Sequence, residues 1–256
     1  MPDVVRGCPY NSNEEKMTSD QENPALIGRD MLVKANQILF KHNVVDGFGH
    51  VSLRCPENPE TYLLSANRAP ALVTNDDILS YDLSGEPIEA TDRPLYLERY
   101  IHAAVYCHRA DVMAVVHSHS HTIVPFGISE DAQLRPVWHM AGFLGDAVPV
   151  FDTAEKFGDG TDLLITNMEM ANAMAQKMDQ HDVVLMRGHG ATIAGRNLPE
   201  AVYRAIYAEL NARIQIQAST LGQVKHLSRA EGVATVERIS PQIKRAWDLW
   251  CAEIED

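Results

Sequence analysis

Three histidines and one carboxylate in this sequence are spaced for metal chemistry. His117 and His119 stand two apart in His117-Ser118-His119, directly after the apolar run Val112-Met113-Ala114-Val115-Val116. A short run of that kind reads as a buried strand. Residues two apart on a strand point to one face, so both imidazoles project from its C-terminal end while Ser118 turns away. Two imidazoles on one face are half of a first-row metal site, and a third histidine with a carboxylate would complete it. Glu98 lies upstream of the pair, and Arg187-Gly188-His189-Gly190 lies far downstream. The plainer alternative is two surface histidines at a strand end. It suits one histidine better than it suits the whole cluster.

The elements needed to carry these groups can be read in chain order. Asn23-Pro24 opens a helix, since proline suits a first helical position. Leu32, Val33, Ile38 and Leu39 then keep near-helical spacing to about His42. Gly47 and Gly49 break that pattern before a strand at His50-Val51-Ser52-Leu53-Arg54, and a turn leads to a second strand at Tyr62-Leu63-Leu64-Ser65. Those two read as a hairpin, left by the polar loop Ser65-Ala66-Asn67-Arg68-Ala69-Pro70. A third strand is expected at Ile78-Leu79-Ser80-Tyr81. A helix is expected from Pro94 to about His108, with Glu98 in its first turns, followed by the histidine strand. Residues 134–151 are too rich in glycine and proline for one long element and read as a short helix or turn, then a strand at Val148-Pro149-Val150-Phe151. A helix over residues 168–180, a strand at Val183-Val184-Leu185-Met186, a long helix over residues 198–221 opened by Asn197 and Pro199, and a last helix from near Pro241 complete the list. The fold class expected is α/β, a central mostly antiparallel sheet with helices packed on it.

Composition narrows the partners. The net charge of −13 and the lack of a basic run argue against nucleic acid. No apolar stretch approaches the ~20 residues of a membrane span, and the N-terminus lacks a signal pattern, so a soluble, cytoplasmic protein is expected. Cys8, Cys55, Cys107 and Cys251 are scattered, with no CxxC spacing. Residues 1–22 are polar and aperiodic, which suggests a flexible arm or a strap over a neighbouring subunit; residues 23–256 are expected to form one domain.

The sequence resembles the class II aldolase/adducin-head family, of the fuculose-phosphate aldolase type. The resemblance covers about residues 24–225. It rests on Gly49-His50-Val51-Ser52-Leu53-Arg54, on Glu98 before the His-Ser-His strand, and on Gly188-His189-Gly190 after a hydrophobic strand, all in the family's order. It implies a three-layer α/β/α domain, a divalent metal, and commonly a homotetramer with active sites at subunit interfaces. Carried over by position, it makes His117, His119 and His189 the ligands, and Glu98 a further ligand or an acid/base group. His121 departs from the pattern and makes the motif HSHSH, a rival to either named histidine.

Two further departures bear on substrate. Where the sugar-phosphate aldolases present small polar groups to a phosphate, this chain has Gly49-His50 and Ser65-Ala66-Asn67-Arg68. A guanidinium and an imidazole suit a planar carboxylate, because arginine pairs bidentately. The segment Arg135-Pro136-Val137-Trp138-His139-Met140-Ala141-Gly142-Phe143-Leu144-Gly145 is similar to the family branch acting on aromatic acids. That branch includes 3-hydroxy-2-methylpyridine-4,5-dicarboxylate and 3,4-dihydroxyphthalate decarboxylases. Retro-aldol cleavage and decarboxylation of a hydroxy-aromatic acid both leave electrons on carbon, held as an enolate or dienolate by a Lewis-acidic metal. The expected function is therefore a divalent-metal-dependent decarboxylase of a hydroxylated aromatic or heteroaromatic acid in aromatic compound catabolism, with a class II aldolase as the alternative. Glu98 and His139 are the catalytic candidates; His50, Ser65, Asn67 and Arg68 are the substrate contacts. Imidazole ligands suit Mn, Fe, Co or Zn, with Mg possible. An adducin-like binding domain without catalysis would have no reason to keep three ligands and a carboxylate.

Overall fold

The computed structural model describes residues 24–255. The arm expected over residues 1–22 lies outside the described residues, as does Cys8. The chain runs α1 (Pro24–Lys41), β1 (His50–Arg54), β2 (Thr61–Ser65), β3 (Ile78–Asp82), α2 (Arg99–His108), β4 (Ala114–Ser118), α3 (Val124–Ile128), β5 (Val150–Phe151), α4 (Thr153–Phe157), α5 (Met168–Met178), β6 (Val183–Met186), β7 (Gly190–Gly195), α6 (Leu198–Leu221), α7 (Arg229–Ile239) and α8 (Ile243–Glu255).

The seven strands form one sheet in the order β3-β2-β1-β4-β7-β6-β5. Every neighbouring pair is antiparallel except β5 and β6. Strand side chains alternate between two faces, and both faces are apolar. Leu63, Ala114, Val116, Leu185 and Ile193 pack with Leu32 and Ile38 of α1, Val202 and Ala205 of α6, and Trp247 and Trp250 of α8. Tyr62, Leu64, Val115, Val184 and Ala194 face the other way, onto Ile101 and Val105 of α2 and Met174 and Met178 of α5. The result is a three-layer α/β/α protein, with the sheet buried on both sides. Each fully buried aliphatic side chain contributes about 1.5–3 kcal/mol through burial.

Four departures from the sequence expectations have physical reasons. The helix expected from Pro94 begins only at Arg99, with Glu98 at its N-cap. Residues 94–98 instead close onto the loop after β2, where Pro94 accepts the Asn67 N–H and the Tyr96 hydroxyl donates to the Arg68 carbonyl. The histidine strand ends at Ser118, so His119 lies just past it. The strand expected over residues 148–151 shortens to Val150–Phe151, because Val148 instead bonds back to Leu134. Finally, β7 and α7 were not anticipated. β7 reads Gly-Ala-Thr-Ile-Ala-Gly, too small and glycine-bounded to look like a strand, yet it lies central in the sheet. The polar α7 keeps only Gly232 buried and is opened by a capping box at Ser228 and Glu231. Among the described residues no helix is long and apolar enough to cross a membrane.

Candidate metal centre

The sheet brings His117, His119 and His189 together at one edge of the α2 layer. β4 pairs with both β1 and β7, and His117 lies opposite His50 on one side and Thr192 on the other. Its side chain faces α2. His189 sits in the tight turn between β6 and β7, with Gly188 at φ 64°, and this turn returns the ring toward the end of β4. Glu98 hangs from the N-terminus of α2 above the same spot.

The donor atoms converge. His119 Nε2 lies 3.0 Å from His117 Nε2 and 2.9 Å from His189 Nε2. Glu98 Oε2 lies 3.4 Å from His117 Nε2, 4.0 Å from His119 Nε2 and 3.2 Å from His189 Nε2. All four donor atoms fall within 4.8 Å of one another. Three imidazole lone pairs and a carboxylate pointed at one volume repel unless a cation lies between them, and this donor set suits a divalent first-row ion.

The surroundings hold two of these groups in position. His189 Nδ1 is 2.9 Å from the Leu163 carbonyl, so Nδ1 carries the proton and Nε2 faces inward with its lone pair. Glu98 Oε1 accepts the Ile165 N–H at 2.9 Å. Leu163 is held in the left-handed region at φ 67°, within the 163–165 segment whose backbone meets both groups.

Electrostatics favour the metal-binding forms of Glu98, His117 and His119. Burial opposes ionisation of Glu98, but the adjacent His117 and His189 rings outweigh it and hold the carboxyl well below the usual carboxylate range. Burial, reinforced by His117 and His189, pulls His119 down to about 4. Burial likewise lowers His117 against the pull of Glu98. His189 alone is raised, because Glu98 overcomes its burial.

The other sequence candidates separate into near and far. His50 is buried beside the cluster, its ring 5.1 Å from the His117 ring and 4.5 Å from the Tyr96 ring. Ser65 Oγ lies 3.2 Å from the Tyr96 hydroxyl, which ties the end of β2 to His50. Asn67 uses its backbone N–H on Pro94. Arg68 is half-exposed; its Nε donates to the Leu72 carbonyl at 2.6 Å and lies 3.4 Å from Asp77. His121 is exposed and outside the four-residue cluster, lining a cavity of about 230 Å³ shared with His119, Glu209 and Arg213. His139 is not brought to the cluster within this chain. It lies on the α6 side of the sheet, lining a small cavity with Tyr203 and Thr235. Arg187 pairs with Asp152.

Sequence reading missed Leu163, Ile165, Tyr96 and His102. The first two act through backbone atoms, which leave no side-chain signature. His102, at the fourth helical position of α2, faces β1 and is fully buried. Its signal was a histidine one turn beyond Glu98 on the same helix.

A family model described as Class II Aldolase and Adducin N-terminal domain matches residues 30–216. The chain is 37% identical over 255 residues to decarboxylase tropJ of Talaromyces stipitatus, covering 91% of this chain and 96% of that protein. It is 29% identical over 229 residues to a 3,4-dihydroxyphthalate decarboxylase of Terrabacter sp., covering 83% and 90%. Among solved structures, an aldolase II superfamily protein from Pseudomonas syringae superposes with a TM-score of 0.75 at 20% identity, over 92% of this chain and 94% of that one.

Proposed function

Because the chain belongs to the class II aldolase and adducin N-terminal domain family and is a carbon–carbon lyase, we propose that it is a divalent-metal-dependent decarboxylase of a hydroxylated aromatic or heteroaromatic acid. The observation that carries this reading is the convergence of Glu98, His117, His119 and His189 on one volume beside His50. The decarboxylase names of the two relatives support it.

His117, His119 and His189 would hold the ion, with Nε2 of each facing the shared volume. A divalent ion there would supply Lewis acidity to an oxygen next to the bond that breaks. Loss of CO₂ leaves an electron pair on a ring carbon, and a proton must quench it. Glu98 has Oε1 pinned by Ile165, so Oε2 alone is free to bind the ion or to carry that proton. Its position among the three imidazole donors favours the ligand role. Arg68 is anchored through Nε to the Leu72 carbonyl beside Asp77, and its half-exposed guanidinium is offered to a second substrate carboxylate. His50 and Ser65 flank the same space, and Asn67 holds the loop that presents Arg68. His139 reaches a reacting group only if assembly brings it there. The assembly we propose is a homotetramer with sites at subunit interfaces, and the large apolar side chains of Phe48, Leu97 and Ile128, all more than half exposed, offer surface for it. Imidazole donors suit Mn, Fe, Co or Zn, with Mg possible. A cytoplasmic location accords with this chemistry.

The test is a panel of dihydroxybenzoates, phthalates and pyridine dicarboxylates, run beside sugar-phosphate aldol substrates with each metal. CO₂ release from one of the ring acids is expected. Aldehyde formation from the aldol substrates, with no CO₂ from any acid, would overturn the reading.

A further inference from the structure

A chain of buried polar groups runs from α2 to the edge of the metal cluster. The Tyr106 hydroxyl lies 2.7 Å from Ser52 Oγ, Ser52 Oγ 2.7 Å from His102 Nδ1, and His102 Nε2 2.6 Å from His50 Nδ1. The four residues are 4% exposed or less. Neither packing nor the ligand set requires them to be polar.

The direction of the hydrogen bonds follows from the Tyr106 end. Among the described residues no oxygen or nitrogen other than Ser52 Oγ is placed to accept the Tyr106 hydroxyl proton. If Ser52 donated to Tyr106, that proton would be stranded in the core. Tyr106 therefore donates to Ser52, and Ser52 donates to His102 Nδ1. No carboxylate touches His102, so a buried imidazolium there would lack a counter-ion, and the ring is neutral. With Nδ1 accepting, its one proton is on Nε2 and is donated to His50 Nδ1. His50 then carries its own proton on Nε2, an atom with no protein partner among the described residues.

We infer that Tyr106, Ser52 and His102 are positioning residues that lock His50 as its Nε2–H tautomer, presenting a fixed hydrogen-bond donor to an anionic substrate oxygen beside the metal centre. A preorganised donor is most effective where negative charge is held or develops. The substrate oxygen rests on the function proposed above; the tautomer does not.

The test uses full-length, zinc-loaded protein with ¹⁵N-labelled histidine, read by magic-angle-spinning ¹⁵N spectra, with His50→Gln identifying the resonance. A pyrrole-type Nε2 and a pyridine-type Nδ1 are expected for His50. The reverse pattern would overturn the inference without reference to any activity. Ser52→Ala removes the link that sets the direction. It is expected to show both His50 tautomers at unchanged zinc content, and kcat/KM should fall about tenfold. A Ser52→Ala protein that keeps the single wild-type tautomer would overturn the role of the array. If the wild-type pattern is found while no aromatic acid is turned over, the lock stands and the functional reading falls.

Discussion

At the scale of single residues, each cluster side chain has a separate loss to show when replaced. His189→Ala removes an inward Nε2 and leaves the sheet core untouched. Most of the bound metal is expected to go while the far-UV spectrum stays, and stoichiometric metal by elemental analysis would remove His189 from the ligand set. Glu98→Gln keeps the Ile165 bond but loses the negative charge. Metal affinity should drop and excess metal should restore much of the rate. Persistent loss of about 10²–10⁴-fold at saturating metal would instead assign Glu98 the proton. Arg68→Lys retains charge and loses the planar fork, so a fall in kcat/KM with little change in metal content is expected for diacid substrates. At this scale the sequence was most legible. The His-x-His spacing and the distant Gly-His-Gly named groups whose atoms meet within 4.8 Å. What could not be read was support from main-chain atoms. The Leu163 carbonyl and the Ile165 N–H orient His189 and Glu98, yet either position would do the same work with another side chain.

At the scale of elements, the β6–β7 hairpin positions the third histidine, and its close approach to β4 has a specific requirement. A Cβ added at Gly190 would lie 2.0 Å from the Ser118 carbonyl oxygen and 3.1 Å from His119 Cα. Both obstacles are backbone, so β4 and β7 would have to separate. Gly190→Ala is expected to cost about 1–3 kcal/mol of stability and to lower metal occupancy with it, measured by denaturant unfolding and metal analysis on the same sample. Occupancy at the wild-type level would mean the hairpin tolerates the shift. This glycine is also why β7 escaped the sequence reading: Gly-Ala-Thr-Ile-Ala-Gly is shaped by what its neighbours allow, and strand propensity reflects such context more than intrinsic preference. Helix α6 shows the opposite case. Asn197 caps it by accepting the Glu200 N–H and Pro199 sits in its first turn, so local chemistry fixed both its start and its reading. The late start of α2 is intermediate, since Pro94 permits a helix but the Tyr96 and Pro94 contacts with the loop after β2 hold residues 94–98 out of it.

At the scale of the whole molecule, seven strands carry apolar residues on both faces, and one group of buried polar side chains lies beside the metal cluster. His50, Ser52, His102 and His117 are buried on the α2 side, where burial alone would favour apolar side chains. Assembly belongs to this scale too. Sedimentation velocity is expected to give a mass about four times the 28.4 kDa of one chain, and a monomer at working concentration would place every functional group within a single chain. The central claim is that the metal held by Glu98 and the three histidines is required to release CO₂ from a hydroxylated aromatic acid. Its most direct test is to strip the protein with a chelator, follow CO₂ from 3,4-dihydroxyphthalate or the best panel acid, and titrate Mn²⁺ or Zn²⁺ back. No release is expected from the stripped protein, and full recovery at one ion per chain. Undiminished release by protein with no measurable metal would contradict it.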